Sequence, residues 1–402
     1  MEQRLAAYYN EAVRCIRCGL CQGVCPVFAV LRTEGAVARG KVQLAKGLAE
    51  GTLAPSPTMR ERLFRCLDCD ACVQSCPSGV QVTDLLAAAK GELARAHLLP
   101  EGLAQLAATI ARTHNILGEA NEGRLMWSED LPEPLALAGR PSPAGQSLTG
   151  EQPSAPQTPA EVAFFVGCLA SFYPLAYGIP QAFWQLLQVA GMQTTMLGGE
   201  EWCCGFPLLG AGLVERAQEL AAHNIAQVRA LGVPALVTTC PSCYHTWRDV
   251  YPELAGEPLG FALLHSTQLL EQLLATGRLR PRGLEPLVVT YHDPCDLGRK
   301  SAVYDAPRRL LASIPGVTLV EMARNRENAM CCGGGGNLET VDADLSTTIA
   351  RQRLAQAEEV GAQVLVSACQ QCKRTLFGAA KRARSRIKVL DVTELLWQAI
   401  GG

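Results

Sequence analysis

Cysteine spacing constrains this chain more than any other feature. Residues 15–26 read Cys15-Ile-Arg-Cys18-Gly-Leu-Cys21-Gln-Gly-Val-Cys25-Pro26, and residues 66–77 read Cys66-Leu-Asp-Cys69-Asp-Ala-Cys72-Val-Gln-Ser-Cys76-Pro77. Both are C-x2-C-x2-C-x3-C-P, and two copies of so strict a pattern make chance a poor explanation. The other ten of the 18 cysteines form two sets with one internal order. The first is Cys168, Cys203-Cys204-Gly205 and Cys240-x2-Cys243; the second is Cys295, Cys331-Cys332-Gly333 and Cys369-x2-Cys372. Corresponding members lie 127, 128 and 129 residues apart, which marks an internal duplication with small insertions.

The N-terminal Met1-Glu2-Gln3-Arg4 lacks an apolar signal region, and no run of 18 apolar residues occurs. The expectation is a cytoplasmic protein without a membrane span. Thiols stay reduced there, so this many cysteines point to metal rather than disulfides. A net charge of −2 gives no case for nucleic acid.

The two C-x2-C-x2-C-x3-C-P stretches have the bacterial ferredoxin spacing for cubane [4Fe–4S] clusters, in which the cysteine before proline serves the other cluster. One predicted ligand set is therefore Cys15, Cys18, Cys21 and Cys76; the other is Cys66, Cys69, Cys72 and Cys25. Pro26 and Pro77 turn the chain away, and Gly19 and Gly79 permit tight turns. Zinc needs neither the third C-x2-C step nor the C-P tail. In the duplicated sets, adjacent Cys203-Cys204 and Cys331-Cys332 cannot easily cap one iron. They can bridge neighbouring irons, as a non-cubane cluster requires. The alternative is a tetrahedral zinc site using four of the five thiols. Gly205 and Gly333 to Gly336 leave room for a cluster or substrate.

Helical periodicity over 1–14, Val27–Leu31, Val37–Leu48 and Met59–Phe64 predicts an α-helical ferredoxin domain rather than a β-rich one. Helices are expected at Val82–Leu98, with Thr83 and Asp84 as candidate caps, and at Leu103–Leu117. The second of these would cover the clusters, meet a partner or touch a membrane surface. Seven prolines in 129–160 predict an exposed linker. Beyond it, apolar strands alternate with helices in two successive rounds, predicting parallel α/β units whose cysteines follow strand C-termini. The strands expected are 161–168, 193–197, 234–240 and 261–264, then 287–295, 317–322, 363–369 and 387–390. The proposed division is 1–128, linker 129–160, 161–280 and 281–402.

Other residues carry weaker signals. His292 precedes Cys295 and could relay a proton or hydrogen-bond a sulfide, although a loop-fixing hydrogen bond is the simpler reading. His245, after Cys243, has the same two readings. His97, His114, His223 and His265 read as ordinary helix or surface histidines, and Trp202 as packing. Arg39-Gly40-Lys41 either tunes a cluster, faces an anionic partner or forms a solvated helix face.

The order of two ferredoxin motifs, a linker and two Cys-Cys-Gly (CCG) repeats resembles the iron–sulfur subunit of glycolate oxidase (glycolate dehydrogenase). It also resembles related subunits of lactate-utilisation, anaerobic glycerol-3-phosphate dehydrogenase and heterodisulfide reductase complexes. The stretches 38–41, 65–69 and 76–80 look most like the glycolate oxidase subunit; 291–299 and 331–336 look more like the heterodisulfide reductase type. The resemblance implies two tandem CCG domains able to hold one or two non-cubane [4Fe–4S] clusters. It also implies an electron-transfer subunit that is not catalytic alone. A separate FAD-containing dehydrogenase subunit would oxidise a 2-hydroxy acid such as glycolate or D-lactate, and electrons would leave to a quinone or another carrier. Such a subunit would be cytoplasmic or peripheral at the inner face of the cell membrane. The other implied activity is reduction of a disulfide at the CCG clusters.

Overall fold

The computed structural model describes residues 5–135, 137 and 159–401. The part before the sheets is helical. Short helices Leu20–Val24 and Ala71–Gln74 follow the first cysteines of each motif, and Ala38–Ala49 and Pro57–Phe64 connect the motifs. Ser56 caps the latter, its Oγ accepting from Met59 N at 3.2 Å, with Pro57 at the first helical position. Helix Val82–Arg95 buries Leu85, Leu86, Ala89 and Leu93 along one face, at the spacing expected of a core-facing helix. They pack with Val42, Leu63 and Phe64. The expected caps are displaced: Gln81 takes the N-cap position, and Thr83 Oγ1 donates to Asp70 Oδ1 at 2.6 Å. That bond ties the helix to the second cysteine motif instead of closing its own end.

Helix Glu101–Thr113 ends four residues short of its expected limit. Its buried Leu103, Ala107 and Ile110 face the interior, the last two beside Cys168, Cys203 and Leu208. Its apolar stripe is thus spent on packing. Among the described residues no helix is long and apolar enough to cross a membrane. Most of the expected linker, residue 136 and 138–158, lies outside the described residues.

Two four-stranded parallel sheets follow. Strands β1 (Val162–Phe165), β2 (Thr194–Thr195), β3 (Ala235–Thr238) and β4 (Ala262–His265) take the order β2-β1-β3-β4. Strands β5 (Leu287–His292), β6 (Val317–Leu319), β7 (Val364–Ser367) and β8 (Lys388–Asp391) take the matching order β6-β5-β7-β8. β1 and β7 are buried along their whole length, as central strands covered on both faces must be. β6 is shorter than expected: after Leu319 only Val320 N still bonds across, to Val289 O at 2.8 Å.

The halves pack reciprocally. Helix Gly178–Val189 of the first lies on Val392–Ile400 of the second, and its counterpart Asp305–Ala312 lies on Ser266–Ala275. This is a pseudo-twofold arrangement around a joint core containing Phe183, Leu187, Leu270, Leu311 and Leu396. It brings the cysteine-bearing strand ends of both halves together. Gln370 Nε2 bridges them, donating to Val166 O at 3.0 Å and Thr239 Oγ1 at 2.9 Å.

Candidate metal centres and the path between them

The N-terminal cysteines line two small cavities. One is lined by Cys15, Cys18, Cys21 and Cys76, the other by Cys25, Cys66 and Cys69, and Cys72 borders both. Cys76 thus joins the first three thiols of the other motif, and Cys25 joins the second motif. Local backbone explains the exchange. Cys25 caps helix Pro26–Leu31 and accepts from Phe28 N at 3.4 Å, while Cys76 Sγ accepts from Val80 N at 3.4 Å. Each C-x2-C loop needs left-handed backbone at Arg17 or Asp68 and again at Gly19 or Asp70. Asp70 tolerates this at a position where the first motif uses glycine, and its carboxylate is held by Thr83.

Positive charge is packed beneath these thiols. Lys41 is 2% exposed, donates to Arg65 O and acts electrostatically on Cys25 and Cys66. Arg39 pairs with Glu34 and reaches Arg17 O, beside Cys15 and Cys21. The solvated-face reading of 39–41 therefore fails for Lys41. Gly40 is required by crowding, since a Cβ there would lie 2.1 Å from Glu34 O. Burial pushes the Cys66 thiol up to about 12. A thiol-only set in such a place binds a metal by losing protons, with Lys41 offsetting the charge.

The duplicated sets form two chains of sulfurs in matching order, each within hydrogen-bonding reach of the next. The first runs Cys168, Cys203, Cys204, Cys243, Cys240. The second runs Cys295, Cys331, Cys332, Cys372, Cys369. This crowding splits the thiols. Hydrogen bonds from Cys203 and Cys243 bring Cys204 down to about 6, while the donor Cys243 rises well above its ordinary value. Nine of the ten thiols, all but Cys331, line one cleft of about 450 Å³ between the halves. Gln371, Arg374, Glu339 and Asn337 also border it. A donor set of buried thiols with free space alongside suits a soft, sulfur-ligated group, iron–sulfur above all.

The surroundings of the two sets differ. Beside the first, Arg124 donates to Glu201 Oε1 at 2.8 Å and to Cys168 Sγ at 3.5 Å, and both charged groups are buried. Glu201 also accepts from Val166 N and Gly167 N, fixing the loop that presents Cys168. Beside the second stands Arg299, which donates to Cys69 O and to Ala329 O at 2.7 Å. Burial opposes its charge, but Cys69, Cys295 and Cys331 outweigh that and raise its pKa. Cys69 and Cys331 themselves touch, and this contact brings Cys69 down to about 6. Gly335 and Gly336 fit directly against Leu67 and Cys66; a Cβ on Gly336 would lie 2.2 Å from Cys66 O. The glycine run therefore docks the N-terminal helical part on the second half.

The histidines separate clearly. His292 is buried at the end of β5, and its Nδ1 accepts from Arg353 Nε at 3.0 Å. His245 Nδ1 meets Asp249 at 2.7 Å. His265 caps the helix Ser266–Ala275, and burial lowers its pKa to about 3. Trp202 is packed between His114 and His223, with ring centroids 3.5 and 3.6 Å away. These partners are 88 and 21 positions distant in the chain, so no local pattern announced the stack.

The comparisons with known proteins agree with this geometry. The cysteine-rich CCG domain family matches residues 162–248 and 289–377, and the 4Fe-4S dicluster domain family matches 11–80. Over 98% of its length the chain is 31% identical to a Methanosarcina acetivorans protein, covering 96% of it; that protein is named as one of the subunits of dihydromethanophenazine:CoB–CoM heterodisulfide reductase. The chain belongs to this family of CCG-domain iron–sulfur subunits. Two further members, both from Bacillus subtilis, are similar. A protein named as a glycolate oxidase iron–sulfur subunit is 28% identical over 98% of this chain and 95% of its own length. Another, named as the iron–sulfur-binding oxidoreductase FadF, is 33% identical, and the chain covers 47% of it. A member of this family with both domain types is an iron–sulfur oxidoreductase subunit that transfers electrons.

Proposed function

We propose that this chain is the electron-transfer subunit of a multi-subunit FAD-linked dehydrogenase for a 2-hydroxy acid, glycolate or D-lactate, and serves a quinone or another carrier. We assign the eight N-terminal cysteines to two cubane clusters in the crossed sets, and the two five-thiol sets to non-cubane clusters. When bound, these groups supply one-electron carriers. The observation that carries the reading is the Cys69–Cys331 contact, which joins the N-terminal cradle to the second five-thiol set.

At the other end of that path the surface is open. Cys18 is exposed, and Val13, Ile16 and Leu20 around it are 51%, 69% and 58% exposed. With Arg17 beside them, they make an apolar, basic-edged face suited to an acidic flavoprotein surface. Ile16→Glu is expected to slow reduction of the chain by its FAD-containing subunit at least tenfold, leaving reduction by dithionite unchanged. Turnover of glycolate or D-lactate by the chain alone would contradict the subunit reading. Cys76→Ser is expected to alter the paramagnetic signal of the cradle that holds Cys15, Cys18 and Cys21. A change confined to the other cradle would contradict the crossed assignment.

The cleft supports a second reading, reduction of a disulfide between the two CCG sets. Both sets face one space, and Arg374 and Gln371 at its border could hold a polar substrate. Disulfide-dependent oxidation of reduced benzyl viologen by the complex, with no hydroxy-acid activity, would favour it over the first.

A further inference from the structure

The two CCG sets carry the same thiols in the same order, but their donors differ: Arg124 reaches Cys168 in the first, and a histidine stands beside Cys332 in the second. His292 is 1% exposed and closes β5, three residues before Cys295. Its Nδ1 accepts from Arg353 Nε at 3.0 Å. Arg353 is fully buried, and its Nη1 is held by Arg324 O at 2.8 Å and Gln356 Oε1 at 2.7 Å. A guanidinium only donates, so Nδ1 must offer a lone pair and the proton of the neutral ring must sit on Nε2. Nε2 is buried without an oxygen or nitrogen acceptor among the described residues, and the sulfur of Cys332 lies within its interaction range. A ring nitrogen of His292 and the sulfurs of Cys332 and Cys372 all lie within 4.8 Å of one another.

Such a group of three could suggest a metal bound by nitrogen and two sulfurs. The tautomer argues against it, because a nitrogen carrying its proton has no lone pair for a metal. What Nε2 can do is donate to sulfur.

The first half has no donor at the matching strand end; its sulfur donor, Arg124, enters from another segment and meets Cys168. Phe165 ends β1 opposite Thr238, as His292 ends β5 opposite Ser367, and it packs edge-on against Trp247. The packing of Gly205 on Ala217 and of Gly333 on Ser346 aligns the two following helices and puts Asn224 at the place of Arg353. Asn224 spends its amide on Trp202 O, Cys203 O and Tyr251 Oη.

We propose that His292, its tautomer fixed by Arg353, is an N–H donor to the sulfur ligand field of the second CCG site, centred on Cys332, and that it raises the reduction potential of that site. The inference rests on the reading that both sets hold iron–sulfur clusters. Hydrogen bonds to cluster sulfur stabilise the more negative, reduced form. His292 is thus a positioning and tuning residue rather than a ligand.

The test is a potentiometric titration of the full, anaerobically purified chain, followed by paramagnetic resonance, for the unsubstituted protein, His292→Phe and His292→Gln. Phenylalanine is the residue the first half uses at this place, so the fold has a precedent for it. His292→Phe is expected to keep full iron content. It should lower one CCG potential by about 59 mV, a tenfold change in the oxidised-to-reduced ratio for one electron, with the other signals unmoved. His292→Gln, which retains an N–H, should recover part of the shift. In the unsubstituted protein with 15N-labelled histidine, a weak nitrogen coupling to that signal is expected. Unchanged potentials in an iron-replete His292→Phe protein would overturn the inference. So would a strong coupling from directly bound nitrogen together with iron loss in the variant. Zinc instead of iron in the unsubstituted chain would overturn the cluster reading itself, and this shows in the metal analysis before any variant is made.

Discussion

The two CCG halves share strand order, thiol order and reciprocal helix packing, yet they sit in different company. The first is closed by the chain's own segment Asn121–Ser128, whose Arg124 enters as a buried partner to Glu201. The second is closed by the N-terminal helical part, through Arg299, Gly335 and Gly336. Duplication supplied two equal thiol sets; what packs on each made them unequal. The second brings one of its own thiols, Cys331, against Cys69 of the ferredoxin cradle, whereas the first meets the N-terminal part through Lys90, which donates to Gly210 O at 3.0 Å, and through the packing of Gly212 on Gly91.

This contrast can be broken most severely at the thiols. Cys331→Ser removes the sulfur that touches Cys69 as well as its own set. It should disturb a ferredoxin-type signal along with a CCG signal. Cys203→Ser, its counterpart, should disturb a CCG signal only. Paramagnetic spectra of the two variants, with iron content, check this. Equal effects from both would remove the asymmetry.

A smaller effect is expected from the closing arginines. Arg124→Met leaves the buried Glu201 carboxylate without its counter-charge, which should cost about 3–5 kcal/mol. Arg299→Leu removes hydrogen bonds from a charged donor to carbonyls and a positive charge beside Cys69, Cys295 and Cys331, but it breaks no direct ion pair, so about 2 kcal/mol is expected. Anaerobic thermal unfolding measures both. In addition, Arg299→Leu should speed limited proteolysis of the N-terminal part while Arg124→Met does not.

The smallest effect concerns the last helix of each half. Both helices start with a capping box, around His265 in one and Asp391 in the other. Burial raises Asp391 to about 7, so its contribution to stability is full below about pH 4 and is lost as pH rises to about 7. Burial lowers His265 to about 3, so its contribution is full above about pH 6.5 and is lost as pH falls toward 3. Asp391→Asn should therefore flatten the decline in stability between pH 4 and 7. His265→Asn should flatten the decline on the acid side. Denaturant midpoints across that pH range give the comparison.

Much of this architecture was legible in the chain. Cysteine spacing and strand–helix alternation carry chemistry and period locally, so the ferredoxin motifs, the helical connection, the duplication and the parallel sheets could be read directly. The pairing of Cys69 with Cys331, the placement of Arg124 and the stacking of Trp202 between His114 and His223 could not. Each joins residues from separate elements, and only packing decides which meet. The caps expected for Val82–Arg95 are displaced for a related reason: a tertiary bond to Asp70 claims the hydroxyl of Thr83. The donor role open to His292 depended likewise on Arg353, 61 residues further along the chain.

The central claim is that one chain holds two cubane clusters and two further clusters in the duplicated thiol sets. Metal and acid-labile sulfide analysis of the anaerobically purified protein tests it directly. At four irons per cluster, about sixteen irons with matching sulfide are expected. About eight irons accompanied by stoichiometric zinc would contradict it.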